Sequence, residues 1–229
     1  MFVNENSDPK RLLGRAILAP TLDVVNTVNE YMSALHTAES RSYFSSNAVC
    51  KADDDNGIIG DVHTPEFLNS IRFSGLPNHT LTLKIGSPVM LMRNIDHSLC
   101  LCNGTRLVIT KLADHVIEVE IMTGSNKGTK VLIPRMSMSP SDPKLAFKFQ
   151  RMQFPLMLSY AMTINKSQGQ TLSHVGLILK KSVFVHGQLY VAASRVNNLD
   201  GLKILIVKDS SSTTTSTTNV VYHEVFNNL

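Results

Sequence analysis

The stretch FPLMLSYAMTINKSQGQTLSHVGLILK, from Phe154 to Lys180, decides the class of fold. Two apolar runs, Leu156–Met162 and Val175–Leu179, flank a polar loop, Thr163–Thr171. Continuous apolar runs of this kind are typical of strands in a parallel sheet that is covered on both faces. In such sheets, ligands bind in the loops that follow the carboxyl ends of the strands. The stretch therefore predicts an α/β domain with a ligand site in the loop after its first strand.

Alternating strands and helices extend this domain in both directions. On the C-terminal side, Ser182–Arg195 has the spacing of a helix, and Leu202–Val207 is predicted as a further buried strand. Near the N-terminus, Arg15–Ala19 is predicted as a strand and Leu22–Leu35 as a helix. Thr21 can cap that helix, because its hydroxyl can accept a free backbone N–H. We expect one α/β domain that is assembled from both ends of the chain.

The middle of the chain has a different pattern. A strand is predicted over Ser42–Val49, and Thr64 with Pro65 begins a short helix. Evenly spaced runs of Val, Ile and Leu then indicate a small antiparallel β-barrel. These runs are Thr80–Ile85, Val89–Arg93, Leu107–Leu112, Val116–Met122 and Lys130–Ile133.

These patterns predict four segments. Residues 1–75 form the first part of the α/β domain, 76–152 the inserted barrel, and 153–209 the second part of the domain. Residues 210–229 form a Ser/Thr linker and a C-terminal helix over Val220–Phe226.

Composition limits the classes of function. The formal net charge of +4 permits a nucleic-acid partner without requiring one. Three cysteines are too few for a disulfide framework and favour a reducing compartment. The N-terminus lacks the pattern of a signal peptide, and no apolar run approaches the roughly 18–20 residues that a membrane span needs. We expect an intracellular protein that is not secreted and has no membrane partner.

Three adjacent carboxylates, Asp53–Asp55, allow two interpretations. They can bind a divalent cation together, or they can lie in a solvated loop, because the spacing of an EF-hand is absent. The histidines and cysteines have no zinc-ligand spacing. We expect no metal site.

The polar loop after the first strand carries groups suited to phosphates. Lys166 offers a point charge, Ser167 and Gln168 offer neutral hydrogen bonds, and Gly169 allows close approach of a backbone. The alternative is an ordinary strand-to-helix turn. The loop is not a P-loop, since Asn165 stands where that motif needs glycine, and no Gly-Lys-Ser or Gly-Lys-Thr occurs in the sequence.

Arg195 closes the predicted helix over Ser182–Arg195, and two roles are open to it. It can satisfy the last carbonyls of the helix. It can also act as an arginine finger, stabilising the charge that develops on a transferring γ-phosphoryl group.

Three blocks of sequence stand out: Ala16–Thr21 with Val25 and Asn29, Leu83–Asn94 with Leu101–Arg106, and Ala161–Thr171 with Gly187–Arg195. Together they resemble the petite-integration-frequency family of superfamily-one DNA helicases, in the form found in plants and Helitron-type transposons. They occur in the order of the family, and the resemblance extends from about Arg15 to the C-terminus.

The resemblance implies the C-terminal half of a helicase motor: a second RecA-like domain of the P-loop NTPase type, with an inserted barrel of the Src-homology type. It also implies roles for individual residues. DNA contacts are expected from Thr21, Thr163, Lys166 and Ser167. Nucleotide contacts are expected from Gln168, Gly169, Gln188 and Arg195, with Arg195 as the catalytic finger.

The complete motor of this family uses ATP and Mg²⁺ to translocate on single-stranded DNA and unwind duplexes in repair, recombination and telomere maintenance. The P-loop and the acidic magnesium motif are absent from this sequence, so we expect a truncated chain that binds neither cofactor tightly and hydrolyses no ATP alone. The expected partners are single-stranded DNA and a P-loop-bearing helicase half, and the expected location is the nucleus, with the mitochondrion as the alternative. Two other hypotheses remain open: a non-catalytic module that binds single-stranded DNA or a helicase partner, and a transposon remnant.

Overall fold

The computed structural model describes residues 14–49, 64–73, 75–140, 147, 149–180, 182–207, 216–222 and 224. The chain divides into two compact units. The outer unit combines Met1–His36 with Ser159–Leu229, and the central unit is Thr37–Leu158. The acidic segment 51–60 and most of the Ser/Thr tract lie outside the described residues.

Short strands make up most of the regular structure. In chain order the described elements are β1 Arg15–Ala19, α1 Leu22–Leu35, β2 Ser40–Phe44, β3 Ser46–Val49, α2 Pro65–Ser70, β4 Thr80–Lys84, β5 Pro88–Leu91, β6 Arg106–Leu112, β7 Val116–Ile121, β8 Lys130–Pro134, β9 Met136–Met138, β10 Phe149–Gln153, β11 Leu156–Leu158, β12 Ala161–Thr163, β13 His174–Leu179, α3 Gln188–Ala193 and β14 Leu202–Ile206. Within the described part of the chain, no helix has the length and apolar character needed to cross a bilayer.

The outer unit is built on a parallel sheet with the strand order β12-β1-β13-β14. β1 is central and fully apolar after its first residue, which fits its place between two neighbours. Helix α1 covers the sheet, with Val25 packed against Ile17 and Ala161. The predicted α/β class, the parallel sheet and the bounds of β1 and α1 are confirmed.

The predicted strand Leu156–Met162 is wrong as a single element. β11 pairs antiparallel with β5 in the central unit, whereas β12 pairs parallel with β1 in the outer unit. Ser159 and Tyr160, both buried, connect the two strands. The apolar residues on either side of Ser159 do not reveal this change of partner, because each strand has buried apolar residues.

Two further predictions for the outer unit are corrected. The helix predicted over Ser182–Arg195 is limited to Gln188–Ala193, since Gly187 has a φ of 71° and breaks the helical path. The strand β14 is the last in the sheet order, and Ile204 and Leu205 are 51% and 58% exposed, so it is not the buried strand that its composition predicted.

The structure tests both predicted helix caps. Thr21 precedes α1, but its side chain makes no capping hydrogen bond, so that expected cap is wrong. Thr64 does cap α2, because its hydroxyl accepts from the backbone N–H of Phe67 at 3.2 Å. The predicted terminal helix is absent from residues 220–222, and residues 223, 225 and 226 lie outside the described part.

The central unit consists of antiparallel sheets. Its largest has the order β11-β5-β6-β7-β8, and smaller ones have the orders β3-β10-β9 and β2-β4. Leu83, Leu107, Ile117 and Phe154 belong to its main apolar core. The sheets are open, since the five-stranded sheet ends at β11 and β8, and a closed Src-homology barrel is not confirmed.

Residues 37–75 group with the central unit, whereas their composition placed them in the first part of the α/β domain. The reason is strand pairing across the chain. β2 pairs with β4, and β3 pairs with β10, both antiparallel. Helix α2 follows them, because Leu68 packs with Leu76, Met138 and Phe149.

A buried arginine ties these segments of the central unit together. Arg151 on β10 is 0% exposed and donates to the Asn47 side chain and to the carbonyls of Leu68, Ile71 and Pro77, at 2.6 to 3.2 Å. Burial lowers the pKa of its guanidinium. The hydrogen bonds to neutral oxygens offset part of the cost of burying the charge.

Candidate functional site

Two threonines lie at the carboxyl edge of the parallel sheet. Ala19 at the end of β1 is in register with Thr163 at the end of β12, so the two strands end at the same level. Thr21 follows two residues later and directly precedes helix α1. Both threonines are partly exposed, and neither hydroxyl caps the helical turn that follows it. The structure therefore brings these two predicted DNA-contact residues to one edge.

The loop after β12 is a compact 3₁₀ turn, Ile164–Ser167. The hydroxyl of Ser167 donates to the carbonyl of Ile164 at 2.6 Å, and the N–H of Gln170 donates to the carbonyl of Ser167 at 3.0 Å. Gly169 has a φ of 77°, a left-handed conformation that favours glycine at the end of the turn. Ser167 is fully buried, so its predicted role in DNA contact stays a prediction.

Lys166 lies in this turn between the exposed Asn165 and the buried Ser167. Its side chain is partly buried, and burial lowers the pKa of its ammonium group. The lysine is therefore charged at a cost in solvation, which a bound anion would reduce. Gln168 and Gly169 are exposed beside it.

Arg195 joins the end of helix α3 to this turn. Its Nε donates to the carbonyl of Val191 at 2.9 Å, and its Nη2 donates to the hydroxyl of Ser194 at 2.9 Å. Its Nη1 reaches the carbonyls of Gln170 at 3.3 Å and Ser167 at 3.5 Å. The guanidinium satisfies a helix carbonyl, as the first of its two predicted roles requires, and it also contacts the loop of Lys166.

A backbone contact reinforces this link. The N–H of Leu172 donates to the carbonyl of Arg195 at 2.8 Å, and Leu172 forms a parallel bridge with Val196. Because Arg195 contacts Ser167 and Gln170 within the polar loop and Leu172 directly after it, the position of that residue depends on the loop.

Gln188 is the first residue of α3 and is 3% exposed. Its Oε1 accepts from the N–H of Phe184 at 3.2 Å, which closes the turn before the helix. The structure thus gives Gln188 a local contact, and its predicted nucleotide contact is untested. Tyr222 packs against the same turn. Its backbone N–H donates to Nδ1 of His186 at 2.9 Å, and its ring stacks on the imidazole of that residue.

Sequence reasoning assigned no role to Asn29, which the structure buries on α1. Its side-chain amide makes two hydrogen bonds to the backbone of Ala161, two residues before Thr163. The available signal was a polar residue one position after Val28 and three before Met32, on an otherwise apolar helix face. A polar side chain that is buried at such a position needs a hydrogen-bond partner, so the pattern indicates a buried contact.

The described residues do not assemble a metal site, because they contain no group of three or more His, Cys, Asp or Glu side chains placed to hold an ion. The segment with Asp53–Asp55 lies outside them. What the edge does offer is hydroxyls, one partly buried lysine and one arginine, the donors that bind phosphates. The fold and the site define an α/β protein whose ligand edge suits a phosphate-bearing ligand, with a β-rich unit inserted in its chain.

Comparison with known proteins makes this class specific. Residues 66–112 match the family model described as the 2B domain of DNA helicase Pif1. The ATP-dependent DNA helicase PIF6 of Trypanosoma brucei brucei is 33% identical over 147 residues, which cover 63% of this chain and 18% of that protein. Human ATP-dependent DNA helicase PIF1 is 35% identical over 145 residues, which cover 62% of this chain and 22% of that protein. The chain thus spans less than a quarter of the length of either relative.

Solved structures agree with the sequence matches. A crystal structure of Pif1 helicase from Candida albicans has a TM-score of 0.65 at 24% identity and covers 89% of this chain and 48% of that one. Bacteroides Pif1 bound to single-stranded DNA has a TM-score of 0.59 at 26% identity, over 83% of this chain and 40% of that one. The chain is similar to Pif1 helicases, which confirms the predicted resemblance to the petite-integration-frequency family. The likeness to plant and Helitron forms stays a prediction.

Proposed function

We propose that this chain is one half of the motor of an ATP-dependent DNA helicase: a second RecA-like domain with an inserted unit of the Src-homology type. The observation that carries the proposal is the contact of Arg195 with the carbonyls of Ser167 and Gln170, in the loop that holds Lys166. Relatives named as ATP-dependent DNA helicases support it. In the complete motor, this half would help to translocate along one strand and unwind the duplex.

Single-stranded DNA is the proposed partner of the carboxyl edge. Thr21 and Thr163 supply hydroxyl donors at the ends of neighbouring strands, and Lys166 supplies the positive charge. A phosphate beside Lys166 would offset the effect of burial and raise the pKa of its ammonium group again. Contacts of this kind hold the backbone of a strand without reading its sequence. Ser167 contributes in this proposal by shaping the turn, since its hydroxyl is bonded inside it.

ATP is the proposed nucleotide, shared with a half that carries a P-loop. Arg195 serves as the finger that stabilises charge on the γ-phosphoryl group, an effect of about 10³–10⁵ in rate in related motors. Gln168, Gly169 and Gln188 are the proposed nucleotide neighbours on this side. The 229 residues contain no Gly-Lys-Ser or Gly-Lys-Thr, so in this proposal the P-loop belongs to the other half of the motor.

The bonds of Arg195 suggest how nucleotide and DNA are coupled. To contact a bound γ-phosphate, Nη1 of Arg195 would have to leave the carbonyls of Ser167 and Gln170, which accept its longest bonds, at 3.5 and 3.3 Å. When Nη1 leaves these carbonyls, the turn that holds Lys166 loses part of its support. Nucleotide binding and release would thus change how tightly Lys166 binds the DNA strand.

ATP hydrolysis by the purified 229-residue chain tests this assignment. We expect no hydrolysis above background, with or without single-stranded DNA, because a finger without a P-loop has no phosphate to stabilise. The native chain is compared with Arg195→Ala, and a malachite-green phosphate assay gives the rate. DNA-stimulated hydrolysis by the native chain would contradict the expected inactivity, and hydrolysis that largely survives Arg195→Ala would also contradict the assignment of Arg195 as the finger.

A further inference from the structure

Strand β12, at one end of the parallel sheet, is also held by a side chain of helix α1. β12 pairs with β1 along one edge. On helix α1, Nδ2 of Asn29 donates to the carbonyl of Ala161 at 3.1 Å, and the N–H of Ala161 donates to Oδ1 of Asn29 at 2.8 Å. A neighbouring antiparallel strand makes this kind of reciprocal pair of bonds. One buried amide therefore takes the place of a strand at this point.

A second contact holds the same segment to the same helix. Nδ1 of His36, just after α1, lies 3.0 Å from the hydroxyl of Tyr160, which precedes Ala161. Helix α1 begins directly after Thr21, and β12 ends at Thr163. Helix α1, which begins after the predicted DNA contact Thr21, thus holds the backbone that leads to the second predicted DNA contact, Thr163.

The chemistry of position 29 points to placement of the backbone. Asn29 is 5% exposed, and an apolar side chain of similar size would fill the site without needing hydrogen bonds. An apolar residue would leave the N–H and C=O of Ala161 without these partners, and it would not fix β12 along its length. A slip of one residue would move Thr163 by about 3.3 Å and turn its side chain to the other face of the sheet.

We propose that Asn29 is a positioning residue for nucleic-acid contact. Its side-chain amide fixes β12 so that Thr163 and Lys166 contact the same DNA strand as Thr21. This role rests on the proposed function, which assigns single-stranded DNA to the carboxyl edge. Asn29 touches no DNA in this account and acts through the backbone of Ala161.

A double-mutant cycle tests the proposal on the full 229-residue chain, with affinity for a fluorescent oligothymidylate as the readout. Asn29→Ala is expected to weaken binding about tenfold, the effect of losing one good hydrogen-bonded contact. In a Lys166→Ala background, the same substitution should weaken binding by clearly less than tenfold, since the part of its effect that passes through that lysine is already lost and only the part that passes through Thr163 remains. Asn26→Ala, on the same helix, is the matched control and should leave affinity unchanged. Equal losses in both backgrounds would overturn the positioning role.

Asn29→Asp provides a variant of nearly unchanged shape, which covers the case in which Asn29→Ala does not fold. A neutral carboxylic acid donates one hydrogen bond and accepts another, as the amide does, whereas a carboxylate only accepts. Relative to the native chain at the same pH, this variant should bind weakly at about pH 8 and recover toward native affinity at about pH 5. A deficit that does not change with pH would overturn the role.

Hydrogen exchange at Ala161 separates the failure of this inference from the failure of the proposed function. The Ala161 amide should exchange at least about tenfold faster in Asn29→Ala than in the native chain or in Asn26→Ala. Unchanged exchange would show that the amide does not hold β12 and would overturn the inference. Faster exchange in Asn29→Ala, together with a native chain that binds no oligonucleotide, would show that Asn29 only holds the fold, and would overturn both the proposed function and the positioning role.

Discussion

The guanidinium of Arg195 has protein acceptors on three sides, so any phosphate that it contacts must compete with them. The bonds to Val191 and Ser194, both 2.9 Å, hold it to helix α3. The bonds to the loop are longer and share one nitrogen, so they are the ones that a phosphate displaces first. A single residue can therefore both complete a helix end and respond to a nucleotide.

At the same scale, Asp96 in the central unit is set up to stay ionised. Its Oδ1 accepts from the hydroxyl of Ser98 at 2.5 Å and from the N–H groups of Ser98 and Leu99 at 2.7 and 3.3 Å. The Ser98 hydroxyl is the main cause that lowers the pKa of Asp96, followed by the two backbone donors. A carboxyl whose pKa is lowered on folding stabilises the fold above its unfolded pKa, and this stabilisation is lost as pH falls through the folded pKa.

We predict that Ser98→Ala raises the pKa of Asp96, because the strongest donor to its carboxylate is removed. The measurement is an NMR titration of the side-chain carboxyl carbon between pH ~2 and ~6, which brackets the ordinary value for aspartate. Ser125→Ala, in a different turn of the same unit, serves as the control. An identical titration midpoint in Ser98→Ala and the native chain would refute the prediction.

At the scale of elements, Arg151 decides how β3, β10 and helix α2 fit together. Its bonds join Asn47 on β3 to the carbonyl of Leu68 on α2, with the side chain fully buried on β10. A lysine has a single nitrogen and cannot reach all these oxygens at once. The oxygens that lose their partner would then be buried without a hydrogen bond.

We therefore predict that Arg151→Lys destabilises the chain by roughly 2–4 kcal/mol, because several buried carbonyls lose a donor. Arg93→Lys is the matched control: Arg93 makes an exposed bond to the carbonyl of Ser139, and the change should cost about 0.5 kcal/mol or less. Urea unfolding followed by circular dichroism gives both values. Equal stability losses for the two variants would contradict this account of Arg151.

Composition and periodicity predict elements well where one strand or helix has one environment. The bounds of β1 and α1 follow from their apolar spacing and from the loop that Pro20 begins. They fail for Leu156–Leu158 and Ala161–Thr163, because an apolar run looks the same whether its sheet partners change or not. They fail again at β14, whose apolar residues lie at an exposed edge of the sheet.

The site was predictable only in part. Motif resemblance brought together the residues that the fold places near one edge, such as Thr21, Thr163 and Lys166. The contacts of Arg195 with Ser167 and Gln170, and of Asn29 with Ala161, join positions 25 to 132 residues apart in sequence. Spacing along the chain carries no information about such pairs, since only the folded sheet brings them together.

At the scale of the whole molecule, the central unit interrupts the outer one in sequence while having its own core. The main apolar cluster and the buried Arg151 network lie entirely between residues 37 and 158. A segment that contains its own core and hydrogen-bond network meets the physical requirement for folding alone.

We predict that residues 37–158, expressed alone, fold to the structure that they have in the full chain. The measurement is an overlay of amide ¹H–¹⁵N spectra, in which resonances from β5 to β8 should coincide with those of the 229-residue chain. Collapsed amide dispersion in the excised segment would show that the outer unit is required for its fold, and would contradict the prediction.

The claim that the carboxyl edge of the parallel sheet grips a nucleic-acid strand depends on Lys166. The salt dependence of oligothymidylate binding measures that grip directly, because each phosphate contact to a single strand adds about 0.7 to the slope of log affinity against log salt. Lys203→Ala, at an exposed position on β14, is the matched control. We expect Lys166→Ala to weaken binding and to reduce the slope by about 0.7, while Lys203→Ala changes neither. An affinity and slope that are the same in Lys166→Ala as in the native chain would contradict the account.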